Sequence, residues 1–196
     1  GKVRENMDAL LDAGIPFKLN AVAMRGFNDD ELPAFVDYAM HHPIDVRFIE
    51  FMPMGEGTRW SDSCFWSAPD ILDAVKGLVA VVPVEQEQRN GGPARLYTLS
   101  GPDGPGLGRL GLISPLSSHF CTSCNRLRIT SDGALRTCLF DDREYRLRNA
   151  LRHPKLGIEA VRRIVTLATR DKPIGARLLE RRHNAVAQRR MTAIGG

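Results

Sequence analysis

No apolar run in these 196 residues approaches the roughly 20 that a membrane-spanning helix needs, so no helical span is expected. Aromatic side chains are few, at 7% of the chain, and only Phe140 and Tyr145 fall after residue 120. That scarcity argues against stacking on single-stranded nucleic acid. No secretory signal opens the chain, and neither internal repeats nor low-complexity tracts are present. The cytoplasm is the expected compartment. Cysteine is sparse, with four residues. Without a secretory signal, a C-x2-C pair points to metal or redox chemistry more than to a disulfide, although a disulfide between two of them stays open. The glycines of GPDGPGLG (101–108) follow a strand but open no helix. They read as a turn and not as a phosphate loop.

What is present is ordinary in bulk and uneven in distribution. Apolar residues make up 43% and charged residues 26%, enough for a sizeable core in one or two domains. Residues 1–120 carry 10 Lys and Arg against 16 Asp and Glu, a net −6. Residues 121–196 carry 17 against 7, a net +10. A basic region of this kind attracts phosphates. With so few aromatics, a small anionic ligand is expected over nucleic acid.

The basic region begins at Cys121, Cys124 and Cys138, spaced C-x2-C-x13-C within HFCTSCNRLRITSDGALRTC. A structural zinc takes four ligands, for which His119 would be the completing residue. An iron–sulfur cluster normally takes four cysteines, so a cubane held by three would keep one iron open to a substrate. Arg126 to Thr130 reads as a strand, Ser131-Asp132-Gly133 as a turn and Ala134 to Leu139 as the return strand. A three-residue loop pairs Thr130 with Ala134, Arg128 with Arg136 and Arg126 with Cys138, which puts Cys138 and three arginines on one face. Like charges opposite one another destabilise a sheet, and a polyanion beside them would relieve it. A two-residue Asp132-Gly133 loop would instead turn Cys138 toward Leu127. A solvated arginine surface is the simpler reading. Cys64 reads as a partly buried thiol.

Upstream, helical spacing over Gly1 to Ala13 ends at Gly14, and FKLNAVAM reads as a strand. Asn28 or Asp29 is expected to cap a helix through about His41, followed by the strand DVRFIEFM. This rhythm predicts an α/β fold, the end of an incomplete barrel whose earlier repeats are absent. Lys18 and Arg47 are unusual on such strands and suggest an anion site; snorkelling from strand ends is the plainer alternative. Glu50 is expected to have a buried partner. Ser67 and Asp70 form a capping box for a helix through about Lys76. Strands at 79–84, 94–99 and 108–113 then suggest an antiparallel appendage ending in the cysteine hairpin. Helices are expected over 145–151, 157–169 and part of 177–190. The division predicted is 1–60, the last βα units of the barrel, and 61–196, a small α+β domain. Gly195 and Gly196 end the chain either as a frayed terminus or as a tail narrow enough to enter a cavity.

GRLGLISPLSSHFCTSCNRLRITSDGALRTCLF, with FKLNAVAMRGFNDDEL, VRFIEFMPMG and the final IGG, resembles the GTP 3′,8-cyclase family of molybdenum cofactor biosynthesis, which are radical S-adenosylmethionine enzymes. The likeness runs from about Lys2 to Gly196. It implies an incomplete triosephosphate-isomerase-type barrel with a C-terminal domain, each carrying a [4Fe-4S] cluster. It further implies that Cys121, Cys124 and Cys138 hold the C-terminal cluster, whose open iron meets the guanine of GTP. By the same resemblance Arg126, Leu127, Arg128, Lys18 and Arg47 bind GTP, Met52 contacts S-adenosylmethionine, and Gly195 and Gly196 enter the active site. The implied reaction converts GTP to 3′,8-cyclo-7,8-dihydro-GTP through a 5′-deoxyadenosyl radical. Implied partners are an electron donor and the downstream cyclic pyranopterin monophosphate synthase; a homodimer is allowed, and neither nucleic acid nor membrane is expected. The family's C-x3-C-x2-C radical motif is missing from this sequence. These residues alone are therefore not expected to cleave S-adenosylmethionine, and the second cluster is expected only in an N-terminal part. A zinc-bound structural or nucleic-acid-binding module and an auxiliary-cluster domain of another radical enzyme are the rival readings.

Overall fold

The computed structural model describes residues 1–55, 57–85, 92–118, 121, 124–182 and 193. They belong to two compact units, Gly1–Phe51 with Asp62–Ser118, and Met52–Ser61 with His119–Gly196. Residues 62–118, expected with the C-terminal domain, pack instead with the first unit. Residues 52–61 go with the second.

In the first unit α1 (Lys2–Asp12) stops where Gly14 takes φ +64°. The Gly14 N–H donates to Leu11 O at 2.9 Å and the Ile15 N–H to Leu10 O at 2.9 Å, the doubled bond of a Schellman end. The chain then runs through β1 (Lys18–Ala23), α2 (Leu32–His41) and β2 (Asp45–Glu50). β1 and β2 are parallel, joined by the helical crossover that parallel pairing requires. The start of α2 departs from expectation. Asn28 Oδ1 accepts the Met24 N–H at 2.9 Å and Asp29 Oδ1 the Gly26 N–H at 2.8 Å, so both side chains close the turn after β1. The helix begins past them, at Leu32-Pro33, where proline's fixed φ suits a first turn.

α3 (Ala68–Lys76) is capped as expected, with Ser67 Oγ accepting the Asp70 N–H at 3.2 Å. The next three strands, β3 (Ala80–Pro83), β4 (Arg95–Gly101) and β5 (Gly104–Ile113), are not an appendage. β5 returns to lie parallel to β2, giving one mixed sheet of order β1-β2-β5-β4-β3. Gly108 permits this approach: a Cβ there would collide with the carbonyl oxygens of Ala39, His42 and Ile44. Leu19, Val46 and Leu110 share a row on the core face, as do Ala21, Phe48 and Leu112. Phe35 of α2 meets Phe48 edge-on at 5.4 Å.

The second unit holds an antiparallel sheet of β6 (Arg128–Ile129), β7 (Ala134–Arg136) and β8 (Tyr145–Arg146). α4 (Leu147–Arg152), α5 (Gly157–Arg170) and α6 (Gly175–Arg182) follow. The fold is α/β, with a mixed sheet and an antiparallel sheet. No helix among the described residues is long and apolar enough to cross a membrane.

Candidate metal and nucleotide site

Hairpin register decides what the cysteines stand beside. Arg128 pairs with Arg136 and Ile129 with Leu135, as a three-residue loop requires. The Thr130 N–H donates to Ala134 O at 2.8 Å, and Gly133 takes φ +82°. Arg136, however, does not wait for an outside anion. It is fully buried, with Asp142 and Glu144 each at 3.5 Å and the carbonyl oxygens of Leu139 and Asp141 as acceptors. The loop after the third cysteine thus supplies the counter-charge that the pairing of two arginines demands. Arg126 and Leu127 are exposed and Arg128 is half-buried.

The Cys124 N–H donates to Cys121 O at 3.3 Å, tying the first two cysteines together. Lys172 reaches the segment that follows: its Nζ donates to Cys124 O at 2.7 Å, Arg126 O at 2.9 Å and Cys124 Sγ at 3.4 Å. Burial raises the pKa of the Cys124 thiol, but the Arg126 N–H and the Lys172 and Arg126 charges outweigh it and hold the group below the ordinary thiol value. Cys138 goes the other way, pushed up by burial first and then by Cys121, Asp141 and Cys124. Arg128 is lowered by burial and by Arg126, while the sulfurs of Cys124 and Cys138 oppose that shift. None of the four cysteines is joined in a disulfide, and Cys64 belongs to the first unit. No trio of His, Cys, Asp or Glu among the described residues is arranged to hold a metal ion directly. His119, Gly195 and Gly196 lie outside the described residues.

The observation that tests a cluster against these residues is Gly175. It is buried, and a Cβ there would stand 2.8 Å from Cys138 Sγ and 3.8 Å from Cys121 Sγ. Two of the sulfurs therefore border one point, which a side chain would fill. The third carries a cationic donor. Soft thiol donors with a thiolate-favouring neighbour suit an iron–sulfur cluster or zinc. The residues fit the group.

In the first unit, Lys18 lies in register with Asp45 and Arg109, and Asn20 with Arg47 and Gly111, so all six share a face. Asp45 is buried. Its Oδ2 accepts from Arg47 at 2.8 Å and its Oδ1 from Arg109 at 2.8 Å. Burial alone would raise this carboxyl's pKa; the two guanidinium groups hold it below the ordinary aspartate value. Gly111 makes room for Arg47, whose Cγ would be 2.7 Å from a Cβ at that position. Lys18, Arg47 and Arg109 thus set three positive charges against one. Glu50 is 1% exposed, and its partners among the described residues are not cations. It accepts the N–H groups of Ala68 at 2.8 Å, Leu116 at 2.8 Å and Ser117 at 3.0 Å, and the Ser117 hydroxyl. The carboxylate so fixes the segment that runs to Ser118, just before the cysteines. Met52 is in the second unit and is half-buried. Lys172, Gly175 and Arg109 escaped the sequence reading. A lysine before proline and a glycine 37 residues past Cys138 carry no local signal of thiol contact.

The family described as Molybdenum Cofactor Synthesis C matches residues 44–178. Similar over the whole chain are the GTP 3′,8-cyclases of Alkaliphilus oremlandii, 43% identical over 57% of that protein, and of Listeria welshimeri, 32% identical over 58%. That of Syntrophomonas wolfei is 42% identical over 88% of the chain and 51% of its own length. The chain spans a little over half the length of these curated relatives and matches their C-terminal portion. It belongs to the Molybdenum Cofactor Synthesis C family.

Proposed function

We propose that this member of the Molybdenum Cofactor Synthesis C family serves GTP 3′,8-cyclase activity in molybdenum cofactor biosynthesis, its cysteine unit binding a [4Fe-4S] cluster and GTP. The observation that carries the reading is the grouping of Cys121, Cys124 and Cys138 around Gly175, Lys172 and the half-buried Arg128. Such a cluster, bound by three thiolates, supplies an open iron to a donor atom of the purine. The chain's own residues do the rest. Arg126 and Arg128 offer guanidinium forks suited to phosphate oxygens. Leu127, exposed between them, offers an apolar contact. The acidic loop around Arg136 keeps that charge inward, so the anion-facing charge comes from the other two arginines.

Lys18 and Arg47 are assigned to GTP, Met52 to S-adenosylmethionine, and Gly195 and Gly196 to the active site. These assignments rest on the motifs they share with the family. The excess positive charge on the Lys18–Asp45–Arg109 face supports the first of them. Asp45 orients Arg47 and removes part of its charge. Holding a nucleotide from both its base and its phosphates fixes the ribose, which is how a protein makes one carbon of a sugar the reacting one.

The test is a GTP titration of the anaerobically reconstituted chain. The wild type should bind GTP, and Arg128→Ala should weaken it about 10- to 100-fold, since a charge-assisted hydrogen bond contributes roughly 1.5–3 kcal/mol. Equal affinity in wild type and Arg128→Ala would contradict the assignment. Because the C-x3-C-x2-C motif is missing, the chain with S-adenosylmethionine and a reductant should yield no 5′-deoxyadenosine by chromatography. Its appearance would overturn that part.

A further inference from the structure

The four residues Lys172–Gly175 border all three thiols, Lys172 through a hydrogen bond to Cys124 Sγ and Gly175 through the space that a Cβ would fill beside Cys138 and Cys121. An ammonium has three donors and no acceptor, and Lys172 directs hydrogen bonds to three acceptors within Cys124–Arg126, two carbonyl oxygens and a sulfur. Gly175, three residues on, takes the only side-chain size that its neighbours leave. Its missing Cβ would fall 2.8 Å from Cys138 Sγ, 3.1 Å from Phe140 Cδ2 and 3.8 Å from Cys121 Sγ. Pro173 lies between them with φ restricted, which limits how far the two contacts can drift apart.

We propose that Lys172 and Gly175 are positioning residues of the cluster site. Lys172 hydrogen-bonds the Cys124 ligand and draws negative charge from it. Gly175 keeps open the space through which Cys121 and Cys138 face a common centre. This rests on the cluster reading above. Hydrogen bonds to ligand sulfur and nearby positive charge stabilise the reduced form of an iron–sulfur centre, so they raise its potential. A purely structural strap would hold Cys124–Arg126 without changing that potential.

The experiment uses the full chain, reconstituted anaerobically, as wild type, Lys172→Met, Lys172→Arg and Gly175→Ala. Iron and sulfide content, spectroelectrochemical midpoint potential and the rate of cluster loss to an iron chelator are measured. Lys172→Met should load with iron yet titrate at a more negative potential, with Lys172→Arg recovering most of the shift. Gly175→Ala should lose its cluster about tenfold faster than wild type. A Lys172→Met potential equal to wild type, or chelator loss from Gly175→Ala at the wild-type rate, overturns the inference and leaves the cluster reading standing. If Gly175→Ala lacks the helical circular-dichroism signal, the Lys172 potential alone decides. A wild-type chain that takes up no iron–sulfur cluster overturns the cluster reading and this inference together.

Discussion

Single residues show where burial and charge oppose each other. Asp45 is buried between Arg47 and Arg109, and its folded pKa lies below the unfolded value. A depressed carboxylate stabilises the fold above its unfolded pKa of about 3.9, and that contribution is lost as pH falls through the folded value. Urea denaturation from pH 7 downward should therefore show stability declining below about pH 4 in the wild type. Asp45→Asn should cost roughly 3 kcal/mol at pH 7 and lack that acid-range component. A variant with the wild-type pH profile would remove Asp45 from the account. Arg47 was legible in the sequence as a cation out of place on a strand. Its partner was not, because Asp45 lies two residues away on the same strand and Arg109 reaches it only once β5 has come back to β2. Glu50 likewise advertised a buried partner, but backbone amides leave no trace in a sequence.

Among elements, the cysteine hairpin was the most legible. Ser131-Asp132-Gly133 dictated its loop, and the loop dictated the Arg128–Arg136 register. Gly133→Ala combines a positive φ with a Cβ 2.8 Å from Arg148 Cβ. It should destabilise the second unit by at least about 1–2 kcal/mol in thermal melts, and an unchanged melting temperature would dispute the turn. What the alternation of residues around the hairpin could not show is that Arg136 finds Asp142 and Glu144 inside the same unit. Nor could it show β5 inserting between β2 and β4. A strand's pattern records which face is buried and is silent about which neighbour it pairs with. The start of α2 was misplaced for a local reason: Asn28 and Asp29 serve turns as readily as caps, and here the turn after β1 took both.

At the scale of the whole chain, family membership and the α/β class agree with the residue-level reading, whereas the two compact units divide the residues differently from the expected boundary at 60/61. Residues 62–118 complete the first sheet and so belong to the unit that carries Lys18 and Arg47. Membership was readable because the cysteine segment joins three cysteines to arginines at fixed spacing. The partition was not, since it depends on a parallel pairing between residues 64 apart, Val46 with Leu110. The central claim is that three cysteines of this chain hold a four-iron cluster with one iron left for the nucleotide. Mössbauer spectroscopy of the anaerobically reconstituted, iron-57-enriched chain, recorded with and without GTP, tests it most directly. The account predicts four irons per chain, one of whose signals changes when GTP is added. A cluster whose four signals ignore bound GTP, or a chain that takes up zinc and no iron, would contradict it.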